Sequence, residues 1–146
     1  MDAVTAGLRL RAVGLRVTTS RLAVLEAVER TPHVDAETLA TVLRASHPSL
    51  TAPSVHKVLG DLTTAGLVRR IGLGRTAARF ETRVGDNHHH AVCRSCGAIE
   101  DISCVVGHAP CLEPSDAAGF ELEQAEVTFW GLCPRCRVTS AGERTS

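Results

Sequence analysis

The stretch Thr51-Ala-Pro-Ser-Val-His-Lys-Val-Leu-Gly-Asp-Leu62 decides how the first half of the chain folds. Thr51 is a good N-cap, and Pro53 falls in the first turn, where its missing N–H leaves no bond unmade. Val55, Val58, Leu59 and Leu62 then recur at helical spacing, with Ser54 and Lys57 facing outward and His56 near the boundary. Gly66 closes the helix. Leu67-Val68-Arg69-Arg70-Ile71, a turn at residues 72–74 and Ala78-Arg79-Phe80-Glu81 follow as a β-hairpin. Upstream, Asp35 caps a helix that turns Leu39, Val42 and Leu43 to the core. Before it, Thr18 or Thr19 caps a helix carrying Leu22, Leu25 and Val28 that runs to about Arg30, and Pro32 ends it. A first helix over residues 4–13, stopped by Gly14, puts Val4, Leu8 and Val13 on one face. Helices followed by a basic hairpin make the winged helix-turn-helix pattern, which suits DNA: one helix enters the major groove while the hairpin touches phosphates. Arg69, Arg70, Arg75 and Arg79 on the hairpin supply contacts that weaken with salt. The alternative is a small helical domain with a solvated basic hairpin.

Charge divides the chain in the same way. The 146 residues carry no formal net charge, yet residues 1–84 hold 12 basic and 7 acidic groups and residues 85–146 hold 4 and 9. That asymmetry expects a front half that meets an anionic partner and a rear half with another task. Phe80, Phe120, Phe129 and Trp130 are too few aromatics for a platform that stacks single-stranded nucleic acid. No apolar run reaches the length of a membrane span. The opening Met1-Asp2-Ala3-Val4 lacks the layout of a signal peptide, so a cytoplasmic protein is expected.

Residues 82–87 read as a linker. Strands are expected at residues 90–93, 98–102 and 120–132, the last alternating through Leu122, Val127 and Phe129. Cys93-x2-Cys96 and Cys133-x2-Cys136 are two knuckles that can surround one ion with four thiolates. Soft sulfur in a closed tetrahedron favours zinc in a structural role. A redox pair is the competing reading, and the sequence places no helix after either pair, as redox chemistry would require. His88-His89-His90 is a second ligand source, with Glu81, Asp86, Glu100 and Asp101 as nearby carboxylates. On a strand, His88 and His90 share one face and His89 points to the other. Imidazole and carboxylate suit iron(II), manganese(II), cobalt(II) or zinc. Cys104 and Cys111 stand outside both patterns, as spare thiols, a reversible disulfide, or extra ligands with His108. A zinc-dependent hydrolase built on the histidines needs an open metal position and a pocket; the chain has no HExxH. A zinc-ribbon interaction module that never meets DNA leaves the hairpin arginines unexplained.

The chain resembles the ferric uptake regulator family of metal-dependent repressors over nearly its whole length. The matching segments are Arg16-Val-Thr-Thr-Ser-Arg21-Leu-Ala-Val-Leu25, Thr51-Ala-Pro-Ser54-Val55, Ala65-Gly66-Leu67-Val68, Arg79-Phe80, His88-His-His-Ala-Val-Cys-Arg-Ser-Cys96-Gly97 and Gly131-Leu-Cys-Pro-Arg-Cys136. Residues 85–97 and 130–134 look closest to the actinobacterial branch associated with catalase-peroxidase control.

The resemblance implies an α+β homodimer on a palindromic double-stranded DNA operator. It places a winged-helix DNA-binding domain at residues 1–82, a hinge at 83–87, a C-terminal α/β dimerisation domain at 88–138 and a disordered tail at 139–146. Cys93, Cys96, Cys133 and Cys136 match its structural Zn2+ ligands. His33, Glu81, His88, His90 and Asp101 match its regulatory ligands for Fe2+ or Mn2+, with Zn2+ able to substitute in vitro. Arg16, Ser54, His56, Lys57, Arg69, Arg70 and Arg75 are the candidate DNA contacts, and Cys104 and Cys111 the candidate redox thiols.

The implied function is a non-enzymatic repressor of antioxidant or iron-homeostasis genes that responds to iron or peroxide, with oxidation at His33 or His88 as the peroxide signal. Zinc or nickel sensing is the competing reading on the same scaffold. The chain departs from the family pattern twice: His56 replaces the usual tyrosine after the valine that Val55 matches, and Ala125 replaces a histidine that serves a further metal site.

Overall fold

A computed structural model of the chain describes residues 1–142, with side chains described through residue 140. It divides into two compact units, Met1–Val84 and the chain from Gly85 onward.

In the first unit the elements run α1 (Ala3–Ala12), α2 (Thr19–Arg30), β1 (Val34–Asp35), α3 (Ala36–Arg44), α4 (Ala52–Thr64), β2 (Arg69–Ile71) and β3 (Arg79–Glu81). Each of the three central helices starts where a side-chain oxygen takes up an orphaned N–H. Thr18 accepts from the Arg21 N–H at 3.2 Å, Asp35 from Thr38 at 2.8 Å and Thr51 from Ser54 at 3.4 Å. Gly66, just past α4, adopts φ +74°, the left-handed conformation that ends a helix and that glycine takes without strain.

Leu10, Leu25, Leu39, Leu59 and Leu62 are almost wholly buried and belong to one core cluster with Val24, Val28, Val55 and Phe80. Burying each such leucine contributes about 1.5–3 kcal/mol. Arg21 on α2 donates to Asp61 on α4 at 2.9 Å across the outer edge of this core.

The hairpin forms as expected, β2 antiparallel to β3, but it gains a third strand. The short β1 pairs with β3 on its other side, giving the order β1-β3-β2. Two helix faces are also corrected. Val4, Leu8 and Val13 are exposed on and after α1, whose buried side is Ala6, Gly7 and Leu10. A Cβ on Gly7 would lie 3.9 Å from the Leu22 and Val17 side chains, an ordinary packing contact. On α3, Leu39 and Leu43 are buried as expected while Val42 is exposed.

The second unit is a three-stranded sheet with a helix, which makes the chain α+β as the sequence implies. Strands β4 (His88–Cys93), β5 (Ile99–Ser103) and β6 (Thr128–Gly131) lie in the order β5-β4-β6, with β4 antiparallel to β5 and parallel to β6. The strand expected over residues 120–132 is confined to 128–131. Its parallel register sets Thr128 beside His90, and the Val127 carbonyl still accepts from the His90 N–H at 3.4 Å; by that register residues 120–125 fall before the start of β4.

The tail expected to be disordered from Thr139 instead begins as helix: α5 spans Pro134–Gly142. The rest of that tail lies outside the described residues. Because α5 starts directly after Cys133, the second CxxC is followed by a helix after all. Among the described residues no helix is long and apolar enough to cross a membrane.

Replacing Leu59 by Ala is expected to cost about 2–5 kcal/mol of stability, read from denaturant melts of the full chain. Asp35→Ala should cost about 1–2 kcal/mol through the lost cap. Burial works to raise the Asp35 carboxyl but is outweighed by the Thr38 N–H and hydroxyl and by Arg79, which hold it below the usual carboxylate range. Its contribution is therefore full above about pH 4 and is lost as pH falls through the lowered value, so the gap between wild type and variant should close in acid. A gap unchanged down to about pH 2 would contradict this.

Candidate metal centres

The β4 to β5 turn brings Cys93 and Cys96 onto one knuckle, closed by Gly97 N–H donating to the Cys93 carbonyl at 2.9 Å. Strand β6 runs beside β4 with Gly131 opposite Cys93, so the chain delivers Cys133 and Cys136 to the same end of the sheet. All four sulfurs lie within 4.8 Å of one another, and Cys96 Sγ is 3.7 Å from Cys133 Sγ. A tetrahedral zinc with bonds of about 2.3 Å needs sulfurs about 3.8 Å apart. The residues fit the ion, and all four cysteines are free of disulfides.

Backbone N–H groups of Cys133 and Cys96 lower the Cys93 thiol to about 6, and the Cys136 N–H, against burial, lowers Cys133. Ser95 works to lower Cys136, but the Cys133 thiol, burial and the other thiols raise it to about 11. Four thiolates this close repel one another, and a divalent cation is what neutralises them.

The residues matched to a regulatory ion occur in two groups, one in each unit, and sheet register builds both. In the first unit Val34 faces Phe80, so the same antiparallel ladder sets His33 against Glu81. His33 Nε2 is 3.3 Å from Glu81 Oε2, and the Glu81 carboxylate is buried. His33 adopts φ +62°, a left-handed conformation uncommon outside glycine. Arg79, expected on the outer face of the hairpin, turns inward: its guanidinium reaches Asp35 at 3.4 Å and the His33 carbonyl at 3.5 Å.

In the second unit His90 faces Asp101 across the β4–β5 ladder, with Nε2 to Oδ1 at 3.6 Å, and His88 Nε2 is 3.9 Å from the same oxygen. His88 Nδ1 hydrogen-bonds Asp86 at 2.7 Å, the arrangement that orients a ligand imidazole.

His89 points to the opposite face of β4. Its Nε2 is 3.2 Å from Cys111 Sγ, and His89, Cys104 and Cys111 offer donor atoms within 4.8 Å of one another. His108, the histidine expected with these cysteines, instead hydrogen-bonds the Val106 carbonyl and is exposed. Strand alternation alone separates His89 from its neighbours, but nothing in the spacing shows that residues 104–111 fold back onto it.

On α4, His56 Nε2 is 3.2 Å from Glu37 of α3, and Lys57 Nζ is 3.6 Å from Asp61. Ser54 Oγ shares a hydrogen bond with Thr51 Oγ1 at 2.9 Å. Arg16, Arg70 and Arg75 are exposed and Arg69 is half-buried.

A winged helix followed by an α/β unit with a four-thiolate knuckle pair and His–carboxylate ligand groups is the make-up of a metal-responsive DNA-binding regulator. The chain belongs to the ferric uptake regulator family, whose model matches residues 12–130. It is 54% identical over 131 residues to the transcriptional regulator FurA of Mycobacterium tuberculosis, covering 90% of this chain and 89% of that one. It is 29% identical over 133 residues to the peroxide operon regulator of Bacillus subtilis, covering 87% and 88%. The fold is shared with the Helicobacter pylori ferric uptake regulator, described as revealing three functional metal-binding sites. That match has a TM-score of 0.71 at 18% identity and covers 94% of this chain and 95% of that one.

Cys93→Ser is expected to lose the one tightly held zinc and abolish cooperative melting of the second unit, while helical circular dichroism from the first unit persists. Zinc content and melting equal to wild type would remove the structural role from this cluster.

Proposed function

We propose that the chain is a metal-dependent transcriptional repressor that binds a palindromic DNA operator as a homodimer and responds to iron or peroxide. The observation that carries it is the pair of register-built ligand groups. His33 and Glu81 belong to the DNA-binding unit; His88, His90 and Asp101 belong to the other. In this reading all five hold one Fe2+ or Mn2+ ion, which ties the arrangement of the units to its own occupancy and so favours one conformer. The zinc held by the four cysteines is structural, since four protein thiolates leave no position open for chemistry. When bound, iron(II) supplies the ability to reduce peroxide, and His33 and His88 are the side chains beside it that can be oxidised. The similarity to a peroxide operon regulator supports this branch.

DNA is read by α4 and the hairpin. Ser54, His56 and Lys57 lie on the outward side of α4, and Arg16, Arg69, Arg70 and Arg75 serve the phosphates. Glu37 and Asp61 already hold His56 and Lys57, so operator binding exchanges these carboxylates for nucleic acid.

Dimerisation uses the second unit. Ile102, Phe129, Trp130 and Leu132 line an exposed apolar groove of about 490 Å3, and among the described residues β5 and β6 are the edge strands of the sheet. Exposed apolar surface beside unpaired strand edges is what a second copy covers. The work is carried out in the cytoplasm.

His88→Ala should leave a folded, zinc-bearing dimer whose metal-stimulated operator affinity falls at least about tenfold, or about 1.4 kcal/mol. Arg70→Ala and Arg75→Ala should each lower the salt slope of binding by about 1. Peroxide treatment of the iron-loaded, anaerobically purified protein should abolish DNA binding and add oxygen mass to a peptide containing His33 or His88. Undiminished binding without added mass would remove the peroxide branch, and the same affinity with and without metal would remove the repressor reading.

A further inference from the structure

We propose that His89, Cys104 and Cys111 form a separate site for a thiophilic d10 cation, zinc(II) or copper(I), on the face of β4 opposite His88 and His90. Three observations converge on it. The donor atoms are already gathered within 4.8 Å, with Cys111 Sγ 3.2 Å from His89 Nε2. Two sulfurs and an imidazole are a soft donor set that selects zinc and cuprous ions over iron(II) or manganese(II).

Secondly, the turn at Cys104 resembles the zinc knuckle in one respect, that backbone N–H groups face the sulfur. The N–H groups of Gly107 and Val106 donate to the Cys104 sulfur, as those of Cys96 and Ser95 do to Cys93. Gly107 occupies the sequence position of Cys96 but takes φ +77°, whereas the first knuckle has its left-handed residue one position later, at Gly97. The Asn87 amide fixes the turn, donating to Cys104 Sγ at 3.3 Å and to the His108 carbonyl at 2.9 Å. Cys111 and His89 lie beside this turn as the other two donors.

Thirdly, His89 is only 6% exposed, which holds its Nε2 against Cys111 away from bulk water. Three protein ligands leave a position for water on zinc, or complete a trigonal copper(I). Binding displaces a proton from each thiol that was neutral, and no electron is transferred. Once held, the ion clamps residues 104–111 onto the back of the strand that carries His88 and His90.

The test titrates reduced, untagged full-length protein with zinc(II) and, separately, with copper(I) under anaerobic conditions, beside the Cys104→Ser/Cys111→Ser double variant. Wild type is expected to take up one equivalent more of one of these ions than the variant. The variant should keep its Cys93–Cys136 zinc, and the ion that shows the difference names the metal. Peptide mapping of wild type after alkylation provides the second readout, independent of whether the variant folds. One added equivalent should slow labelling of both Cys104 and Cys111 about tenfold, because a metal-bound thiolate is no longer a free nucleophile. Equal uptake of both ions by the two proteins, or unchanged labelling of the two cysteines, overturns the proposal. So does conversion of Cys104 and Cys111 to a disulfide in mild oxidant as fast with the ion as without it.

Discussion

A β-strand can offer its side chains to two faces only, and the second unit depends on how β4 uses them. His88 and His90 turn to the face where Asp101 waits across the ladder, while His89 turns to the face where Cys111 lies. The strand then ends on Cys93, whose sulfur belongs to the zinc knuckles. One short strand therefore serves three donor sets, each of a different hardness. Slipping the register by one residue would put His89 opposite Asp101 and hand hard and soft donors to the wrong partners. The parallel pairing with β6 and the knuckle at Cys93 guard against that slip.

The first unit applies the same economy at Asp35. This residue ends β1, caps α3 and accepts from Arg79, and it stands two positions after His33. Its neighbours explain why Arg79 is turned inward although the hairpin around it is basic. The Asp35 carboxylate and the His33 carbonyl give the inward guanidinium its partners, whereas Arg70 and Arg75 stay exposed.

Much of this was legible in residue types. Thr18, Asp35 and Thr51 announce helix starts because few side chains can satisfy an N-terminal N–H, and the cysteine spacing announces a knuckle because few other structures need it. Apolar periodicity was less reliable. Val4, Leu8 and Val42 fit a buried stripe by spacing yet lie outside, since α1 packs through Ala6, Gly7 and Leu10 and α3 through Ala36, Leu39, Ala40 and Leu43. Residues 120–125 alternate like a strand, but alternation cannot supply a neighbour, and by the β4–β6 register they fall before the start of β4. β1 has only two residues and carries no pattern at all. Within the candidate sites, the matched ligands could be named from the sequence; the company His89 keeps could not, because it depends on an irregular segment folding back.

The segment between the two knuckles contains the long irregular stretch from Cys104 to Val127, much of it exposed. Since each end is fastened to the same zinc-binding cluster, the metal rather than the peptide bonds can hold this part of the molecule together. A protease cut in that stretch would leave two fragments that travel as one particle while zinc is held and separate when it is removed. Chain continuity and structural integrity are thus different properties in this unit, and the tetrathiolate cluster supplies the second where the first is lost.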